Sequence, residues 1–179
     1  MLEDQFMELI DPVVRGGGGV LEDGEEFRDP PLEVLRYYRR RVRLSRVPLL
    51  GQGQSVVAVV RQPVDIDASQ PSQARFLARL AMAVNGRFPP WHGPVIGLSA
   101  VVLTPEPITP GDDDVLREVL AIRLRRMRVV TFGLFRVNLG QEATSLAIGA
   151  SPDNLFGEPT ALADALCAHF KRFVPLITE

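Results

Sequence analysis

The sequence predicts an α+β fold: a single domain with a mixed five-stranded sheet and helices mainly on one face, preceded by an N-terminal arm. Two observations carry that expectation. From residue 30 onward, segments of helical period and apolar runs of strand length follow one another in the order α-β-β-α-β-α-β-β-α, which is not the strict alternation of a doubly wound parallel sheet. The first 29 residues differ in kind, being acidic and interrupted by four consecutive glycines. The expected division is therefore an acidic arm over residues 1–29 and a globular α+β domain over 30–179.

In the arm, "LEDQFMELI" puts Leu2, Phe6, Met7, Leu9 and Ile10 on one broad apolar side of a short helix. That helix either packs on its own domain or docks on a partner; the sequence leaves both open. "RGGGGVLEDGEEFRDPP" (15–31) reads as a linker, because glycine disfavours regular structure and the acids that follow bury little apolar surface. Asp29, Pro30 and Pro31 form a helix-start signal, a capping side chain followed by first-turn prolines. A helix is expected over about residues 30–40. Next come two strands, "RVRLSRVPLL" and "SVVAVVRQPVDI", joined through "GQGQ". Pro48 suits an edge or a bulge, and the valine run suits a strand buried on both faces.

"ASQPSQARFLARLAMAVNG" is the clearest helix, with Phe76, Leu80 and Val84 at the helical period and Asn85-Gly86 as a stop. "PVIGLSAVVLT" is a third apolar strand. "PGDDDVLREVLAIRLRRMR" starts with Asp112, Asp113 and Asp114 and ends in arginines, as the helix dipole favours. "VVTFGLFRVNL" and "ATSLAIGAS" form a hairpin around "GQE". The last helix, from about Thr160, turns Leu162, Leu166, Phe170 and Phe173 inward.

The bulk numbers exclude several classes. At 179 residues, 46% apolar and 23% charged, the chain has the composition of an ordinary globular protein. No apolar run reaches the roughly 18 residues that span a bilayer, and the acidic N-terminus is unlike a signal peptide. The single cysteine, Cys167, excludes an internal disulfide and a multi-cysteine zinc site. No membrane association and a cytoplasmic location are expected.

The net charge of −2 conceals an asymmetry. Residues 1–35 hold ten acids and two arginines, whereas the next twelve hold six arginines and no acid. On the expected helix, Arg36, Arg39, Arg40 and Arg43 recur at steps of three and four and share its exposed side, with Arg46 beyond. These five are the candidate partner- or anion-binding residues. Helix dipole and edge protection explain arginines in the same places without any ligand. The acidic arm is also a charge complement able to cover them.

Catalytic signatures are scarce. The four-glycine stretch lacks the lysine and hydroxyl residue of a phosphate loop, and "LLGQGQS" leads into a strand where a dinucleotide site needs a helix. His92 and His169 are far apart, and Cys167 and His169, two positions apart on a helix, point to different faces, so no metal or cofactor is expected. Cys167, between Leu166 and Ala168, reads as a buried small residue. The loop "NGRFPPWHGPV" holds Trp91 and His92 between prolines, as the rim of a pocket or as a plug for the core.

The expected function is a non-catalytic protein–protein interaction or assembly module, the partner being another chain or a second copy of this one. A small-molecule binder or enzyme with its site at Trp91 and His92 is the alternative. Nucleic-acid binding through the arginine cluster comes next, since residues 36–179 are net basic.

Overall fold

The computed structural model describes residues 1–22, 32–43, 52–88, 95–122, 128–150 and 158–173. In chain order the elements are α1 (Glu3–Gly16), β1 (Val20–Glu22), β2 (Glu33–Arg43), β3 (Gln52–Arg61), α2 (Gln70–Arg87), β4 (Ile96–Leu103), α3 (Asp112–Leu120), β5 (Val129–Asn138), β6 (Ala143–Ile148), α4 (Glu158–His169) and β7 (Lys171–Arg172). The fold is α+β. Among the described residues, seven strands form one mixed sheet, and their order across it is their order in the chain. β1, β2 and β3 are antiparallel neighbours, β3, β4 and β5 run parallel, β5 and β6 form a hairpin, and β7 lies parallel to β6. No helix among the described residues is long and apolar enough to cross a membrane.

The five-strand expectation is therefore too low, and where the helix expected at 30–40 falls on described residues, from Glu33 onward, the chain is strand β2. The tyrosines give the physical reason. Tyr37 and Tyr38 are adjacent, are 0% and 1% exposed, and belong to two separate cores. Successive residues reach opposite layers in a strand and only about 100° apart in a helix. Backbone pairing with β3 along the whole of β2 overrides the proline start signal.

Helices cover both faces, which corrects the one-sided arrangement. α2 and α3 bury Phe76, Leu80, Leu116 and Val119 against Val56, Ala58, Leu98 and Leu134. On the other face α1 and α4 bury Phe6, Ile10, Leu162 and Leu166 against Val57, Val59, Val101 and Phe135. Handedness explains the split. The crossovers β3–α2–β4 and β4–α3–β5 step the same way from strands of one direction, so right-handed connections put both helices on one face. β6 runs in the opposite sense, and the next step in the same lateral direction puts α4 on the other face.

α1 belongs to its own domain's core through Phe6, Met7, Ile10 and Val14, at steps that keep one face inward. Phe6 meets Phe170 edge to face at 5.8 Å. The glycines after α1 form a tight turn into β1: the Gly18 and Gly19 N–H groups donate to the Arg15 and Val14 carbonyls. Gly18 has φ +87°, and a Cβ on Gly19 would lie 2.7 Å from Val14 Cγ1.

Gly19→Ala is expected to destabilise the protein by about 1–3 kcal/mol, as overpacking does. Gly16→Ala, which meets nothing within 4 Å, is expected to be neutral. Thermal unfolding of the two variants followed by circular dichroism checks the contrast.

Candidate functional site

Strand geometry distributes the arginines over both faces. Arg36 and Arg40 lie opposite Val59 and Ser55 in the β2–β3 register, on the α1/α4 side. The Arg36 guanidinium donates to the Leu35 carbonyl at 3.1 Å. Arg40 Nε donates to Glu158 Oε1 at 2.6 Å, and Ser55 Oγ donates to Glu158 Oε2 at 2.9 Å. Glu158 is buried in the first turn of α4, so this trio fastens that helix to β2 and β3. Arg39 is on the opposite side, 5.9 Å above the Phe88 ring, beside Arg87, which lies 5.4 Å above Tyr37. Arg41 is exposed, and Arg43 ends β2 opposite Gln52. Arg46, Trp91 and His92 lie outside the described residues.

The two edges of the sheet differ. At one edge β7 covers β6 at Ala143 and Thr144, and beyond it Asp113 Oδ1 accepts the Leu146 N–H at 2.9 Å. Asp113 Oδ2 also accepts from Arg172 of β7 at 2.8 Å, which locks the edge. At the other edge, among the described residues, β1 offers three residues against the eleven of β2. Val20 is 65% exposed there and Leu21 36%.

Sequence reasoning missed the buried charges. Arg136 of β5 is 1% exposed. Its guanidinium donates to Asp112 Oδ2 at 2.8 Å and to Glu106 Oε2 at 3.0 Å, while the Thr109 hydroxyl donates to Asp112 Oδ1 at 2.7 Å. Asp112 and Asp113 are thus buried anchors for arginines rather than dipole caps alone, and the exposed Asp114 pairs with Arg117. A signal existed: one arginine inside "VVTFGLFRVNL" demands a partner once both faces of the strand are buried.

An open cleft of about 500 Å³ lies at the end of β3, lined by Glu33, Arg61, Gln62, Pro63, Val64 and Asp65. Its charges are matched locally: Arg61 pairs with Glu33 and Glu3, and Asp65 with Arg79. No three His, Cys, Asp or Glu side chains among the described residues are placed to hold a metal ion. Cys167 is exposed on α4, against the expectation of burial, because it falls on the side of the helix away from Leu162 and Leu166. His169 Nδ1 lies 2.9 Å from the Ala165 carbonyl in the last turn of α4.

The Tyr38 hydroxyl donates to Asp11 of α1. Burial first, then that hydrogen bond and the Asp11 charge, push its pKa well above the ordinary value of 10.0, against a smaller opposing pull from Arg36 and Arg15. The folded state holds this proton more tightly than the unfolded chain. Its contribution is complete below about pH 10, where the unfolded tyrosine is still protonated, and is lost as pH rises beyond that. Alkaline denaturation is expected to be steeper above that pH for the wild type than for Tyr38→Phe, read from urea midpoints across the range. Arg136→Ala is expected to cost about 3–5 kcal/mol by leaving the buried Asp112 without its cation. Arg136→Met combined with Asp112→Asn is expected to regain most of that loss in the same assay.

Comparison of the chain with protein-family models, curated proteins and solved structures returns no match.

Proposed function

We propose that the protein is a non-catalytic interaction or assembly module whose contact surface is the β1–β2 edge of its sheet. The observation that carries this reading is the contrast between the edges. An open strand edge is a template for pairing with another chain, and proteins that do not use one commonly shield it. Here the β6 edge is shielded by a short strand and a dedicated carboxylate. The β1 edge presents Val20, Leu21 and the arginine-bearing end of β2.

The N-terminal segment enters this proposal in altered form. The apolar side of α1 faces its own core, so the part of the segment offered to a partner is β1, the strand that α1 and the glycine turn place on the edge. The arginines contribute through the exposed Arg41 at the end of β2 that β1 leaves uncovered among the described residues. Main-chain pairing supplies affinity in such contacts, and flanking charges select the partner and its direction.

The test is capture from native lysate at low salt, with and without nuclease, using wild type, Val20→Lys, Arg41→Glu and the α2 surface control Met82→Lys. A stoichiometric protein partner that survives nuclease, is lost with both edge variants and is kept by the control is the expected result. Nuclease-sensitive material absorbing at 260 nm would replace this reading with nucleic-acid binding. A partner indifferent to the edge variants, or none at all, would remove the edge from consideration.

A further inference from the structure

We draw no further inference here: the strongest candidate, the open cleft at the end of β3, has its charges paired within the chain and the unpartnered Oε1 of Gln62 buried beneath its surface, so nothing in the structure shows what ligand it would take.

Discussion

The reversal of chain direction between β5 and β6 is the constraint from which the rest of the architecture follows. Four residues join Asn138 to Ala143, and Glu142 adopts φ +52° to close the turn. Asn138 Oδ1 accepts the Gln141 N–H at 2.8 Å, and Gln141 in turn bonds both the N–H and the carbonyl of Ile108. The turn is thereby fixed to the segment between β4 and α3. Once the strand direction is reversed, a right-handed step to β7 carries α4 to the face opposite α2 and α3. That face also covers β2 and β3, which a single twelve-residue helix does not reach across. α1 fills the remaining half, which is why the N-terminal helix is part of the core.

The buried charges follow from the same arrangement. Strands covered on both faces leave their C-terminal ends beneath α3, where Arg136 meets Asp112 and Glu106. Replacing such a cluster by apolar residues is often neutral for stability, so its value is better sought in geometry. The neighbouring Asp113 holds a backbone N–H of β6 and the side chain of Arg172 together. These two aspartates tie the first turn of α3 to β5, β6 and β7, and Asp113 closes the edge that would otherwise continue the sheet.

Much of this order was legible in the sequence. β3, β4, the β5–β6 hairpin, α2, α3 and α4 announce themselves because long apolar patterns have a period that survives without tertiary information. Their number and placement were not. β1 and β7 are three and two residues long and carry no measurable period. β2 reads as a helix because Asp29, Pro30 and Pro31 signal a helix start just before it, and nothing local reveals that Tyr37 and Tyr38 bury in different layers. The unusual density of arginine was legible, but the faces that Arg36, Arg39 and Arg40 occupy depend on the strand period. The two-sided cover required the strand directions, and these are fixed by pairing between distant segments.

The composition of β2 makes sense once the strand is seen to serve two roles. Its tyrosines join the two cores, so the strand cannot be polar throughout. Its arginine side chains must reach past the sheet surface to water or to a partner, which calls for long apolar stems with charged ends. Arginine meets the further demand that those ends be satisfied where they are half-buried. A planar guanidinium donates to Glu158 from Arg40 and lies over the Phe88 ring from Arg39, geometries that a compact ammonium reproduces poorly. The stem of Arg40 also passes 3.0 Å from where a Cβ on Gly18 would stand, so the glycine turn and the arginine strand require each other. Of the arginines in β2 whose side chains are described, Arg41 is thereby left to act outward, at the end where β1 stops.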